Sequence, residues 1–306
     1  MEVPKIGVAA RVGRPGTEWA VPRAAWYPIS PLPSRQKPWR VDVELHGMRA
    51  TVSGAAPTRC EMADVEHDSL KVAISNGLIW ACLADHSDRA ILPIDLHGFG
   101  ARDIVAMNQV TVSADFDQVV LGLVDPAHVP MVHNSWWWRS GDTRKVKTKQ
   151  YGPSPLGFTA SAKDRRHASP LFRLFGLNPD ISIEFRLPSL RIERIRHRDN
   201  LIANFTFVTP IRPGVQRVYN VMFSTWRWLH MLGPVVRRLG QTFLQQDARI
   251  LSLIGAGHAN DGMLFRGDPD KPSLWYFRLK RELASSQDEG RPFENPIRPQ
   301  LLTWRT

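Results

Sequence analysis

Leu201-Ile-Ala-Asn-Phe-Thr-Phe207 is the stretch on which the reading of this chain turns. Leu201, Ala203, Phe205 and Phe207 share one parity, and Ile202, Asn204 and Thr206 share the other. A period of two marks a strand whose two faces meet different surroundings. Ile181, Ile183, Phe185 and Leu187 repeat the pattern upstream, so residues 157–225 read as several antiparallel strands. A long helix is expected directly after them, over about residues 234–254, with Pro234 in its first turn, where proline is tolerated. A second helix is expected over about 274–286, and the tail from Pro292 reads as extended.

Upstream, the alternation is shorter. From Trp26 (WYPIS) the chain shows Val41, Val43 and Leu45, then Ala50 and Val52, then Val72 to Ile74, then Leu78 to Leu83, separated by Gly, Pro and Asp. These read as strands and turns of a small β-rich unit. Residues 1–20 lack periodicity and are expected to form a loose arm. The expected organisation is an arm over 1–20, a β-rich domain over 21–98 and a larger domain over 99–306. Strands followed by long helices make the fold class α+β.

The 306 residues are 43% hydrophobic and 23% charged, as in an ordinary soluble domain. No apolar run reaches the roughly 20 residues that span a bilayer, and no membrane association is expected. With only Cys60 and Cys82, a disulfide framework is out, and the cytoplasm is the default compartment. The excess of 40 Lys and Arg over 29 Asp and Glu gives +11, which favours an acidic partner. No nucleic-acid-binding module is visible, and an acidic electron-carrier protein fits the charge as well as nucleic acid does, so composition alone does not choose between them. The run Arg144, Lys145, Lys147, Lys149 falls in a basic, Gly-containing stretch from Trp136 to Pro155 that reads as a loop.

Chemistry concentrates in Asp125-Pro-Ala-His128-Val-Pro-Met-Val-His133. Two imidazoles and a carboxylate suit a divalent metal such as iron. Residues 117–132 have helical character, interrupted by Pro126 and Pro130, and Asp125 and His128, three apart, would share a face. His128 and His133 would be roughly 140° apart on a regular helix, but Pro130 between them distorts it. By spacing alone, two histidines five apart are more often unconnected surface or core residues than ligands.

The segment DFDQVVLGLVDPAHVPMVH (115–133) resembles the iron-site segment of Rieske non-haem iron oxygenase α subunits of the vanillate and caffeine demethylase kind. The resemblance implies that His128 and His133 are iron ligands and that Asp125 relays electrons towards them. The third ligand in that family is a carboxylate on a late helix; GQTFLQQDARILSLI (240–254) matches it and implies Asp247. WYPIS and NGLIWACLAD (76–85) are similar to the ends of the family's Rieske domain. WYFRLKREL with FENPIRPQLLTWR (275–305) is similar to its C-terminus. The implied fold is a degenerate Rieske-like β domain followed by a helix-grip (START/Bet v 1-like) catalytic domain. The implied cofactor is one mononuclear Fe(II).

The resemblance breaks where a [2Fe–2S] centre would sit. Such a centre needs two Cys and two His, presented in the family as C-x-H and then C-x-x-H. Here GAAPTRCEMADVEHDSLKVAI (54–74) offers Cys60 followed by Glu61 and Met62, and His67 and His86 have no Cys at the right offset. No [2Fe–2S] cluster is therefore expected in this chain, and Cys82 reads as a small buried residue. A second departure is Gly122, where many relatives carry Asn.

These readings imply an oxygenase subunit that hydroxylates, or oxidatively N- or O-demethylates, a small aromatic or heterocyclic substrate with O2. The methylxanthine N7-demethylase type is one instance. Electrons would come from a separate Rieske-bearing protein or reductase, within a trimer or heterohexamer. The alternatives are a non-catalytic subunit of a mixed oligomer and a ligand carrier without turnover. Ile183, Phe185, Asn204, Phe205 and Gln246 are expected to line the substrate pocket, with Phe207 and Trp136, Trp137 and Trp138 as further candidates.

Overall fold

The computed structural model describes residues 10–11, 21–32, 38–56, 59–61, 70–90, 99–127, 146–161, 179–255 and 264–305. Their strands are β1 (Ala10–Arg11), β2 (Tyr27–Pro31), β3 (Trp39–Leu45), β4 (Met48–Ala56), β5 (Arg59–Glu61), β6 (Leu70–Ser75), β7 (Leu78–Leu83), β8 (Ile104–Val112), β9 (Val146–Ser154), β10 (Gly157–Ser161), β11 (Asp180–Arg186), β12 (Leu190–His197), β13 (Asn200–Arg212), β14 (Val215–Ser224), β15 (Leu264–Phe265) and β16 (Gln300–Arg305). The helices are α1 (Phe116–Val124), α2 (Arg227–Met231), α3 (Gly233–Gly255) and α4 (Lys271–Asp288).

Eight strands form one antiparallel sheet in the order β16-β9-β10-β11-β12-β13-β14-β8. Two three-stranded sheets, β2-β7-β6 and β3-β4-β5, make the β-rich N-terminal part. The parity read from residues 181–207 sorts the large sheet into two faces. Leu190, Ile192, Phe205, Phe207, Tyr219, Val221 and Phe223 are buried with Leu78, Trp80 and Phe99 of the N-terminal part. The Tyr219 hydroxyl donates to Ile29 O at 2.6 Å and the Thr209 hydroxyl to Pro28 O at 2.6 Å, which ties β2 to this face. Phe158, Phe185, Val208 and Val218 point the other way, into a core shared with α1, α3 and α4.

Helix α3 runs along β8 in the same direction. Gly233 lies against Val105 O, Gln241 Nε2 donates to Gln109 O at 3.2 Å, and Ser113 N donates to Ser252 Oγ at 3.3 Å. The lengths match: nineteen helical residues rise about 28 Å, and eight strand residues span about 26 Å. Helix α4 covers β9–β11, with Trp275 edge-on to Tyr151 and Phe158 and Tyr276 edge-on to Phe185. A long helix seated on an antiparallel sheet is the expected helix-grip architecture, and the α+β class holds.

Two expectations change. The stretch from Trp136 to Pro155 reads as a loop, yet residues 146–154 form β9, paired on both sides with β10 and β16. Lys147, Lys149 and Tyr151 alternate there, and charge on alternate residues hides a strand when its charged side does not face bulk water. In the N-terminal arm, Ala10–Arg11 pair with Leu264–Phe265. That pairing uses backbone groups, which leave no periodicity in a two-residue strand.

The β3–β4 hairpin turns on His46 and Gly47, at φ 52° and 82°. Positive φ at both central residues is what a two-residue hairpin loop of this hand requires. Its amides donate to Pro210 O and Ile211 O of β13, so the turn is docked and the imidazole lies edge-on to Tyr27. Burial, and then Arg23 and His86, lower the His46 pKa to about 4. The unfolded chain protonates His46 near pH 6.5, so stability is full above that pH and falls as pH drops towards 4. The expected loss is about 3 kcal/mol between pH 6.5 and 4. Urea midpoints across that range check it, with His46→Asn, which tolerates positive φ, giving a visibly flatter profile.

Candidate metal centre and substrate cleft

Helix α1 begins at Asp115, whose amide donates to Gln118 Oε1 at 3.3 Å, and it buries Phe116, Val119, Val120 and Val124. It ends at Val124, and Asp125 is extended at φ −68°, ψ 115°. Pro126 causes this, because the residue before proline is driven out of the helical region. Asp125 therefore lies off the helix on which the spacing argument placed it. The Asp125 carboxylate instead turns back on its own loop and accepts from Ala127 N at 2.7 Å.

On α3, Leu244, Ala248 and Leu251 lie on the face turned to the protein, and half-buried Asp247 belongs to that row. Gly122 of α1 faces Leu251: a Cβ there would meet both Leu251 methyls at 3.6 Å. Asp247 lies one turn before Leu251, and Asp125 lies one residue short of a full turn beyond Gly122. The two helices thus meet at Gly122 and Leu251, with Asp247 one turn before that contact on α3 and Asp125 just past the end of α1. His128, His133 and the Trp136–Trp138 run lie outside the described residues, and among those described no three His, Cys, Asp or Glu converge on one point.

On the helix-side face of the sheet Val208 and Val218 form one buried row, and Ile202 and Ser224 form another. Between these two, Ile183, Glu193, Asn204 and Met222 form one cross-strand row and are all half-exposed. Asn220 donates to Asn204 Oδ1 and Thr206 Oγ1, both at 3.0 Å. Arg191 Nη1 is 3.6 Å from Glu193 Oε2. Tyr151 lies on the same face, its phenol pushed up by burial, lowered by Arg191 and raised by Asp125. Asp125 is therefore within electrostatic reach of this cleft.

Of the residues expected to line a pocket, Ile183 and Asn204 lie in the open row. Phe185 shares their face but is buried between Phe158 and Tyr276. Phe205 and Phe207 lie on the opposite face, stacked on each other with Phe207 edge-on to Trp80. Parity forbids Phe205 and Asn204 from facing the same space. Gln246 precedes Asp247 by about 100° of helix rotation, off the buried row. Sequence reasoning missed Lys149, Arg191, Glu193, Thr206 and Asn220, although their parity relative to Asn204 was the available signal.

Cys82 is buried in β7, its thiol donates to Leu83 O at 3.4 Å, and burial pushes its pKa up to about 11. It behaves as a core thiol, not a ligand. Cys60 and His67 offer nothing further: of the former's side chain nothing is described, and the latter lies outside the described residues.

No protein-family model matches the sequence, and no curated protein matches it. Solved structures do. Dicamba monooxygenase bound to dicamba aligns with TM-score 0.60 at 12% identity, over 87% of this chain and 98% of that one. NdmA of Pseudomonas putida CBB5 with caffeine aligns with TM-score 0.58 at 12% identity, over 90% and 94%. The quaternary ammonium Rieske monooxygenase CntA aligns with TM-score 0.55 at 10% identity, over 85% and 89%. No helix among the described residues is long and apolar enough to cross a membrane. What is shared at this distance is architecture, and the chain carries the fold of the Rieske monooxygenases.

Proposed function

We propose that this chain is the catalytic subunit of a Rieske-type mononuclear non-haem iron oxygenase, with no [2Fe–2S] centre of its own. His128, His133 and Asp247 would hold Fe(II), and Asp125 would sit between that site and a separate Rieske-bearing electron donor. The substrate would be a small aromatic or heterocyclic compound, hydroxylated or oxidatively demethylated within a trimer or heterohexamer. The observation that carries this reading is the fold shared with dicamba monooxygenase and NdmA, within which Asp125 follows the end of α1 and Asp247 lies half-buried on α3.

The donor set fits a ferrous ion, since two imidazoles and one carboxylate leave open positions for O2. The remaining work belongs to the chain. The Ala127 amide holds the Asp125 carboxylate in place, α3 presents Asp247 from a rigid helix, and the open row of the sheet receives and orients the substrate. Positioning from rigid elements is what an oxidising centre requires of its scaffold.

Anaerobic loading with ferrous salt tests the assignment. The expected result is about one iron per chain, as a two-histidine, one-carboxylate site requires, and loss of that iron in Asp247→Ala at an unchanged circular dichroism spectrum. Full iron retention in Asp247→Ala removes the ligand assignment. No iron in the native chain leaves the non-catalytic subunit as the surviving reading.

A further inference from the structure

The two helices that follow β14 carry more apolar surface than the core takes up. From Thr225 to Phe243, across α2 and the first half of α3, not one residue is buried. Trp228, Met231, Leu232, Val235 and Leu239 are exposed there, Met231 at 82%. Leu232 belongs to the same helical run as α3, since its carbonyl accepts from Val236 N at 2.9 Å. Ile250 and Leu253 continue the series at the far end of α3, Leu253 at 70% exposure. At about 100° per residue, Leu232, Val235, Leu239, Ile250 and Leu253 fall within about 60° of one another. That stripe lies about 130° round the helix from Gly240, Leu244 and Leu251, which face the protein. It is a second apolar face, not the rim of the first.

The surrounding charge decides what can cover it. Arg227, Arg237, Arg238 and Arg249 are exposed along the same helices, and Asp247 is the one carboxylate between Trp226 and Gly255. Among the described residues none of the four arginines is in an ion pair. A second copy of this chain would set four cations against four, because a two-fold contact repeats one patch on both sides and like charges repel. The complement is an anionic surface with an apolar layer behind its charge. The stripe runs about 31 Å along a convex helix, and beside its start Trp228 stacks on Trp226 at 5.7 Å. Tryptophan, leucine and arginine on a surface helix suit a segment lying in a membrane interface.

We propose that α2 and α3 dock on an anionic phospholipid bilayer, with the stripe at the acyl boundary and the arginines among the headgroup phosphates. This replaces the expectation of no membrane association, which rests on the lack of a spanning run; a helix that lies on the bilayer needs none. The surface is separate from the proposed iron site, since Asp247 lies about 90° round α3 from the stripe.

Flotation of the full-length chain with vesicles tests this, using phosphatidylcholine alone and an equal mixture with phosphatidylglycerol. The chain is expected to float with the mixed vesicles, to bind phosphatidylcholine at least about tenfold more weakly, and to be released by salt. Arg238→Gln/Arg249→Gln should weaken binding about 25-fold, at about fivefold for each arginine near the surface. Leu239→Gln/Leu253→Gln should weaken it at least about tenfold by removing apolar anchors. Both pairs are exposed, so unchanged circular dichroism and thermal midpoints are expected alongside. No flotation with the mixed vesicles, equal binding to both compositions, or full binding in both double variants overturns the proposal. Sedimentation velocity without lipid supplies the remaining arm: a smaller assembly in Leu239→Gln/Leu253→Gln than in the native chain overturns it in favour of a second copy.

Discussion

Lys280→Met is expected to destabilise the protein by about 3–5 kcal/mol, the cost of leaving one partner of a buried ion pair alone. Lys280 and Asp117 are 5% and 2% exposed, and Lys280 Nζ donates to both Asp117 oxygens at 2.7 and 2.8 Å. The Tyr276 hydroxyl donates to Oδ1 as well. Burial pushes the Asp117 carboxyl up, and Lys280 and Tyr276 pull it back down. The charge also lies in the first turn of α1, where the helix dipole favours an anion. Without Lys280, the carboxylate has neither solvent nor cation.

The comparison that isolates this is a urea series at constant m-value on native chain, Lys280→Met and Asp117→Leu/Lys280→Met. The double variant should recover most of the loss, because replacing a whole buried pair with apolar residues of similar volume is often neutral. A loss under about 1 kcal/mol in the single variant, typical of an exposed pair, would show the pair to be solvated. The consequence reaches the proposed metal centre. Asp125 lies about 12 Å along the helix axis from Asp117, so the anchor on α4 sets where α1 delivers its C-terminal end.

Gly157→Ala carries the second large effect. A Cβ at residue 157 would lie 1.8 Å from the Phe185 carbonyl oxygen and 2.8 Å from its carbon, both backbone atoms in the middle of the sheet. A flexible side chain could move aside, but a paired strand cannot. Gly157 O also accepts from Asn295 Nδ2 at 2.7 Å, tying the turn between β9 and β10 to the C-terminal segment. Overpacking ordinarily costs about 1–3 kcal/mol, and a clash with backbone belongs at or above the top of that range. Thermal unfolding of the variant checks this. An unchanged midpoint would mean that β10 and β11 can separate freely at this point.

The alternation of residues 181–187 and 201–207 was legible because one side of each strand meets apolar neighbours almost continuously. The helix over 233–255 was legible to within a residue at each end, since its buried row recurs at helical spacing and Pro234 stands where a helix starts. The glycines of the His46–Gly47 and Asn76–Gly77 turns fall between the strands read from the alternation. β9 was not legible, because its inward residues are lysines, and a charge does not announce which side of a strand it will occupy. The end of α1 was half-legible. Pro126 was read as an interruption, but its effect on Asp125, which leaves the helix altogether, follows only from counting backbone conformations one residue earlier.

What the sequence determined by itself is local: strand parity, the two long helices and the α+β class. Tertiary structure alone decided which parity of the large sheet faces the helices, because both parities are apolar enough to be buried. That choice sends Phe205 and Phe207 to the N-terminal part, and Asn204, Glu193 and Arg191 to the cleft. Tertiary structure also decided that Asp117 finds Lys280, 163 residues away. Coulomb energy depends on distance in space and on solvent exclusion, and a sequence records neither.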